Sequence, residues 1–283
     1  MSDQTRRFRA LLEGPEMVVV PECYSALTAL IAEDRGFQAT YIGGHAMGGM
    51  HHGIPDHGLI TTTEMVQLAS RITECISIPL ICDADQAGET SLNVRRAVKS
   101  YERAGVAAIH IEDTFNPKHL GAGDHLQPIG EMCARIKAAV DARTDANFVI
   151  IARTDELFNK GTVDEVIRRG QAYADSGADV YMVLSMKPED IDRIASQVPI
   201  PLLDIMQPVD RVKETKLKVD VWCGFAISAA AMEFDRQMRE LNDHGQFLNM
   251  AERRLPSEAH QRLTKDDEYR RVATDWTARE AGG

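Results

Sequence analysis

Two acidic clusters are the part of this chain best suited to chemistry: Asp83-Ala84-Asp85, and Glu112-Asp113, whose glutamate stands 27 residues after Asp85. Each follows a short apolar run, Ile78-Pro79-Leu80-Ile81 in one case and Val106-Ala107-Ala108-Ile109 in the other, that reads as a buried parallel strand. The acids therefore belong at two strand C-termini, where α/β sheets place their functional groups. Carboxylates held together repel one another, and a cation relieves the repulsion. Ligation by oxygen alone suits Mg2+ or Mn2+, so Asp83, Asp85 and Glu112 read jointly as a divalent-metal site with Asp83 an exposed ligand. Any one of these acids alone would serve equally well as a helix N-cap or in a solvated loop.

Other strand ends add to the picture. Arg153 closes the run Phe148-Val149-Ile150-Ile151-Ala152, which aims its guanidinium at a bidentate grip on a carboxylate or phosphonate; a salt bridge to one of the acids is its bland alternative. Gly43-Gly44 lets backbone N–H groups approach an anion closely, or marks a plain turn. His45, His51, His52 and His57 crowd one loop but lack the ligand spacing of a zinc site. Gly121-Ala122-Gly123 lacks both the third glycine and the preceding strand of a dinucleotide fingerprint, and no phosphate-binding GK[ST] loop exists, so neither NAD nor ATP is indicated. The segment Thr114 to Gln127 is long for its place and reads as a lid or an ordinary mobile excursion.

Eight short apolar runs position these groups, beginning near Met17, Gln38, Pro79, Ala107, Phe148, Asp179, Ile200 and Val219. Helical patterns occupy 24–35, 62–75, 90–104, 130–142, 162–176, 188–196, 208–216 and 225–243. Gly36, Gly105 and Gly177 each stand after a helix and before a strand, the C-cap position. Eight such units predict a closed (β/α)8 TIM barrel, with a doubly wound open sheet as the alternative. The chain reads as a single barrel domain over 1–283 with a helical tail from about 245. Trp276, in the otherwise polar tail, suits packing on another surface such as a second subunit.

A formal charge of -11 with no basic block argues against nucleic acid and anionic membranes as partners, while a small anionic substrate is compatible with a local Arg, Lys or metal ion. Five cysteines without a C-x-x-C pair fit a reducing cytoplasm better than a disulfide framework. No stretch approaches 18 apolar residues, and Met1 to Arg7 carries no apolar signal region behind its basic residues.

Tyr41-Ile42-Gly43-Gly44, Gly53-Ile54-Pro55-Asp56-His57-Gly58, Pro79 to Asp85, His110-Ile111-Glu112-Asp113, Pro117-Lys118 and Ile150 to Asp155 together resemble, in order, the isocitrate lyase and phosphoenolpyruvate mutase superfamily. The resemblance covers roughly residues 8–245. It implies a (β/α)8 barrel, a homotetramer whose eighth helices are exchanged between paired subunits, and Mg2+ stabilising an enolate of pyruvate or a related α-oxo acid. By position, Asp83 would be the direct metal ligand, with Asp85, Glu112 and Asp56 around the metal waters. Gly43, Gly44 and His45 would hold the substrate carboxylate, the last two through backbone N–H groups, and Arg153 the oxyanion side. Tyr41, Lys118 and Arg153 complete the expected catalytic set.

Departures from the family pattern set the branch. The lyases that split isocitrate or methylisocitrate carry Lys-x-Cys-Gly-His in the gating loop, where this chain has Lys118-His119-Leu120-Gly121-Ala122, and leucine cannot transfer a proton. They also place a glutamate after the sixth strand, where Val183-Leu184-Ser185 stands here. The mutase and phosphonate hydrolase branch favours Glu-Asp-Lys, where the third residue here is Thr114. The oxaloacetate decarboxylase branch shares Gly43-Gly44, Glu112-Asp113-Thr114 and the missing cysteine, but has a histidine where this chain has Phe225 and a different turn at Gln86-Ala87-Gly88-Glu89. The expected activity is Mg2+-dependent cleavage of a small α-oxo or α-hydroxy dicarboxylate through a pyruvate-type enolate, oxaloacetate decarboxylase-like. The alternatives are a phosphonopyruvate or phosphoenolpyruvate mutase or hydrolase, a 2-methylisocitrate lyase-like enzyme, and a catalytically silent metabolite-binding paralogue.

Overall fold

A computed structural model describes residues 3–120, 125–248 and 250–281. The centre of the expected lid, Gly121 to Asp124, lies outside the described residues. The chain divides into two compact units, residues 1–227 and 228–283.

In the first unit eight parallel strands form the barrel: β1 (Val18–Pro21), β2 (Thr40–Ile42), β3 (Leu80–Asp83), β4 (Ala108–Glu112), β5 (Val149–Thr154), β6 (Val180–Val183), β7 (Leu202–Ile205) and β8 (Leu217–Trp222). The hydrogen-bonded order β1-β8-β7-β6-β5-β4-β3-β2 runs almost full circle. The parallel bridge Glu22–Tyr41 and the bond from Cys23 N–H to Tyr41 O (2.8 Å) close the seam between β1 and β2. This is the (β/α)8 barrel that the apolar runs predict, each strand beginning within two residues of its expected place. Residues such as the Val-Ile-Ile of β5 suit strands covered on both faces.

Side chains alternate between two cores, as strand geometry requires. Val20, Tyr41, Ile81, Ala108, Ile151 and Val219 are among those filling the barrel interior. Ile42, Leu80, Ile109, Ile150 and Val183 face the surrounding helices. Those helices are α2 (Ala26–Asp34), α4 (Thr62–Thr73), α5 (Ser91–Arg103), α6 (Ile129–Ala142), α7 (Val163–Asp175), α8 (Pro188–Ala195) and α9 (Val209–Val212), with the short α3 (Gly44–Met47) directly after β2. Ser25, Thr61, Thr90 and Thr162 cap α2, α4, α5 and α7 through their hydroxyls. Besides α3 and the π-helical turn Gly48–His52 that follows it, which no helical pattern anticipated, two elements differ from the sequence reading. The helix expected over 208–216 is a single turn, α9, because Pro208 starts it and Thr215 folds its hydroxyl back onto Val212 O (2.7 Å). A helix not anticipated, α1 (Asp3–Glu13), sends Phe8 into the interior core.

The second unit contains the body of α10 (Phe225–His244), α11 (Met250–Arg253), α12 (Ser257–Leu263) and α13 (Asp266–Ala281). Arg253 clamps two acids of α10, Glu233 at 3.0 Å and Glu240 at 2.6 Å. Trp276 is 64% exposed, and Met232 and Phe234 are also open.

Packing of α7 on β6 gives a direct test. A Cβ on Gly170 would meet the Tyr181 ring at 2.5 Å and Val198 at 2.8 Å, and Tyr181 is fixed by its hydroxyl bond to Val166 O. The overpacking cost of about 1 to 3 kcal/mol exceeds the helix-propensity gain of about 1 kcal/mol. Gly170→Ala should therefore lower the barrel's melting temperature. Gly130→Ala on α6, where a Cβ meets nothing within 4 Å, should leave it unchanged or raise it. Thermal unfolding of both variants checks the pair, and equal shifts would contradict this packing.

Candidate active site

Strand parity brings the functional groups to the barrel mouth. Asp83 follows Ile81 on the inward face of β3, His110 and Glu112 follow Ala108 on β4, and Arg153 follows Ile151 on β5. The register sets Asp83 beside His110, and Glu112 beside Arg153.

Asp83 is buried rather than exposed, contrary to the sequence expectation. Its Oδ2 accepts the Gly44 N–H (2.9 Å) and its Oδ1 accepts the Asp85 N–H (2.9 Å), so it ties two loops to β3. This contact explains the glycine pair. A Cβ on Gly44 would come within 3.2 Å of the Asp83 carboxylate, and one on Gly43 within 3.0 Å of the Tyr41 ring. The Tyr41 hydroxyl bonds His110 Nε2 (3.0 Å), with the two rings stacked at 5.7 Å, and His110 Nδ1 lies 3.5 Å from Asp83 Oδ1.

Glu112 is fully buried. Its Oε1 lies 3.2 Å from Lys118 Nζ and receives Gln86 Nε2 (3.2 Å) and the Thr114 hydroxyl, while its Oε2 is 2.8 Å from Arg153 Nη1. Arg153 turns its bidentate edge onto Asp155, Nε to Oδ1 at 2.7 Å and Nη2 to Oδ2 at 3.0 Å. The fork expected for a substrate anion is thus engaged by Asp155, two residues along the same chain. Lys118 is 1% exposed and pairs with Asp85, and Asp56 lies 3.6 Å away. His119 spans two loops, its Nδ1 3.3 Å from Asp56 O and its Nε2 3.5 Å from Asp155 Oδ2.

Of the residues singled out from sequence, Tyr41, Gly43, Gly44, Asp56, Asp83, Asp85, Glu112, Lys118 and Arg153 gather here. The His45 side chain is exposed, but its amide belongs to the first turn of α3, where a helix leaves N–H groups without intrahelical acceptors. His51 bonds Tyr24 O (2.6 Å) and is no part of the cluster. The sequence reading missed His110, whose signal is its i, i+2 spacing from Glu112 on one strand face. It also missed Glu22, which follows Val18 and Val20 inward.

Among the described residues, one group could hold a metal ion: Asp83, His110 and Glu112, each offering an atom within 4.8 Å of the others. His110 joins the expected Asp83 and Glu112 in this group. Asp85 adopts a left-handed backbone (φ 47°) and directs its carboxylate to Lys118. The electrostatics fit a cation. Burial and the neighbouring Asp83 push Asp85 up to about 7 even with Lys118 against it, so the acids are short of positive charge. Burial would raise Asp83 too, but the facing His110, Lys118 and Arg153 hold it well below the usual carboxylate range. His110 is itself pushed down by burial, against the opposing pull of Asp83. Behind the cluster, Asp113 accepts Arg169 Nη1 (3.0 Å) and the Tyr173 hydroxyl (2.8 Å), and its own carbonyl accepts the N–H of Gln127 at the far end of the long loop. A cavity of about 600 Å³ flanks the acids, lined by Thr61, Asp83, Asp85, Glu89, Glu131 and Arg135 among others.

A family model described as phosphoenolpyruvate phosphomutase matches residues 8–241. The 2,3-dimethylmalate lyase of Eubacterium barkeri is 42% identical over 196 residues, 68% of this chain and 68% of that protein. A solved structure of phosphonopyruvate hydrolase in complex with oxalate and Mg2+ matches at TM-score 0.86 and 26% identity, over 97% of this chain and 99% of that one. Oxaloacetate acetylhydrolase in complex with the product oxalate matches at TM-score 0.87 and 26% identity, over 100% of this chain and 99% of the other.

Glu22 supplies a pH test. Burial raises its carboxyl from 4.5 to about 7, although Oε2 accepts the Gly224 N–H at 2.7 Å. A raised carboxyl stabilises the fold only while protonated, so its contribution is full below about pH 4.5 and is lost as pH climbs through 7. In chelator, Glu22→Gln should gain stability relative to the unsubstituted protein between pH 5 and 8. The gain should approach roughly 3 kcal/mol and then level off. Denaturant titrations at several pH values measure it, and a pH-independent difference would show that Glu22 ionises normally.

Proposed function

The chain belongs to the phosphoenolpyruvate mutase and isocitrate lyase superfamily, and from that premise we propose that it decarboxylates oxaloacetate or cleaves a closely related α-oxo or α-hydroxy dicarboxylate. It is a metal-dependent carbon-carbon lyase that uses Mg2+ or Mn2+. Asp83, His110 and Glu112 would hold the ion, with Asp56 and Asp85 beside it. Bound there, the ion supplies electrophilic stabilisation of the oxyanion that develops as the carbon-carbon bond breaks.

This chain's own residues do the rest. The His45 amide in the first turn of α3 takes a substrate carboxylate, while the Gly44 amide expected beside it is engaged by Asp83 Oδ2 and braces the turn. The Arg153 hydrogens not engaged by Asp155 or Glu112 face the developing oxyanion. Tyr41, held by His110, closes one wall. The observation that carries decarboxylation is Leu120: two residues after Lys118 it is 61% exposed and offers no proton. Loss of CO2 needs none, since the departing group leaves unprotonated and the enolate takes its proton from solvent. A second reading, cleavage of an alkyl-substituted malate, is favoured by the identity to the 2,3-dimethylmalate lyase.

Five free cysteines support residence in a reducing compartment, which we read as the cytoplasm. Among the described residues no helix is long and apolar enough to cross a membrane. The open Met232, Phe234 and Trp276 support assembly as a homotetramer, and the chain is read as one barrel domain with a helical tail from about 245.

A turnover panel of oxaloacetate, 2,3-dimethylmalate, phosphonopyruvate and 2-methylisocitrate, with Mg2+ and with chelator, tests this function. Oxaloacetate should turn over fastest and chelator should abolish it. Faster dimethylmalate cleavage would establish the second reading, and full activity in chelator would refute the metal. Asp83→Asn should cost roughly 100-fold or more in kcat/KM, beyond the range of residues that merely orient ligands. Arg153→Lys should be nearly as damaging as Arg153→Ala, a loss of about 2 to 4 kcal/mol in transition-state binding, because a point charge cannot replace a planar fork. Near-normal turnover of the lysine variant would leave Arg153 as only the ion-pair partner of Asp155 and Glu112.

A further inference from the structure

Lys118 is an unusual place for a buried charge. Its backbone runs between exposed Pro117 and exposed Leu120, yet its side chain is among the largest fully buried ones in the protein. The ammonium contacts Asp85 Oδ1, lies 3.2 Å from Glu112 Oε1 and 3.6 Å from Asp56 Oδ1. Those acids are the ones gathered around the Asp83, His110 and Glu112 group.

The two cations of the mouth are not equally committed. Arg153, from within β5, is fixed by a planar fork on Asp155 and an ion pair with Glu112. Lys118 reaches in from a loop on a flexible four-carbon stem and acts as a point charge. Its main chain is anchored separately, since its carbonyl is 3.0 Å from His57 Nδ1, so the stem can swing without the loop letting go. Among the described residues, five carboxylates, Asp56, Asp83, Asp85, Glu112 and Asp155, are met by these two permanent cations, with His110 beside Asp83 and His119 beside Asp56 and Asp155. A doubly charged ion neutralises them better than an ammonium does, and both draw on the Glu112 carboxylate.

Resting on the metal-lyase reading above, we infer that Lys118 and the divalent cation are alternative counter-ions of one carboxylate cluster, so that Mg2+ binding expels the Lys118 ammonium from it. Metal loading and exposure of the loop lysine are then a single equilibrium, and each side biases the other equally. The ejected ammonium becomes a free positive charge beside the cluster when an anionic substrate arrives. The acids are never left without a cation, which would be severely destabilising in a buried site.

Two measurements test the exchange. The first uses the unsubstituted protein: lysines are reductively methylated in chelator and in saturating Mg2+, and each site is quantified by mass spectrometry. Lys118 should be protected in chelator and react at least tenfold more with Mg2+, while exposed Lys99 reacts equally in both. Equal protection of Lys118 in both conditions overturns the inference. The second is calorimetric titration of Lys118→Met with Mg2+ alone, which should bind at least tenfold more tightly than the unsubstituted protein because no ammonium must be displaced. Unchanged or weaker affinity also overturns it, and if Lys118→Met does not fold the methylation result decides. Absence of Mg2+ binding in both proteins would instead refute the metal-lyase reading on which this inference rests.

Discussion

Negative charge packed into a space too small for it is the constraint on which the rest of this structure depends. Asp83 and Glu112 are buried at the ends of adjacent strands, with Asp85, Asp56 and Asp155 around them. Coulomb repulsion at such separations in a poorly solvated site would be several kcal/mol per pair without counter-charge. The molecule answers with Lys118 and Arg153, with backbone N–H groups from Gly44 and Asp85, and with ordinary hydrogen bonds from Gln86 and Thr114. The Asp85 carboxyl, pushed up by burial and by Asp83 even with Lys118 against it, marks the answer as incomplete. Divalent-metal chemistry is the use to which such a deficit is suited.

The scaffold behind the cluster is of the same kind. Asp113 follows Glu112 but turns away from the mouth, and Arg169 and Tyr173 of α7 hold it. Gln127 N–H donates to Asp113 O (2.6 Å), and Arg169 Nη1 donates to Gln127 O (3.1 Å). One buried network thus anchors β4, α7 and the return of the long loop, while His57 and Asp56 hold its outward leg near Lys118 and His119. The acids sit on rigid strands, and the groups that must approach and leave them sit on a loop pinned at both described ends.

Much of this was legible in the residues, and the illegible part has a common cause. Short, mainly apolar runs located every strand, because a parallel strand covered on both faces is built chiefly from apolar residues. Asp83, Asp85, Glu112 and Arg153 stood out for the opposite reason, as charges ending such runs. His110 was hidden by being enclosed in its run, between Ile109 and Ile111, where only strand parity separates an inward histidine from a core residue. The burial of Lys118 was not readable, because it depends on Asp56, Asp85 and Glu112 converging from three segments of the chain. α1 escaped notice because its apolar face is one short i, i+3, i+4 set, Phe8, Leu11 and Leu12, in a charged segment, and its partner is the barrel interior rather than a neighbouring helix.

The seam between β1 and β2 is joined by one bridge, Glu22 to Tyr41, where every other neighbouring pair of strands shares at least two registered residues. Local opening of a fold starts where the fewest backbone bonds must break. Here that place also carries the buried Glu22 carboxyl and the tyrosine that supports His110. The least costly excursion of this barrel therefore begins at its working end, one strand away from the β3 that carries Asp83. Amide protons of Cys23 and its neighbours should consequently exchange with solvent at rates that follow the occupancy of the mouth, giving the enzyme a structural reporter of its loading state within its own hydrogen-bond ladder.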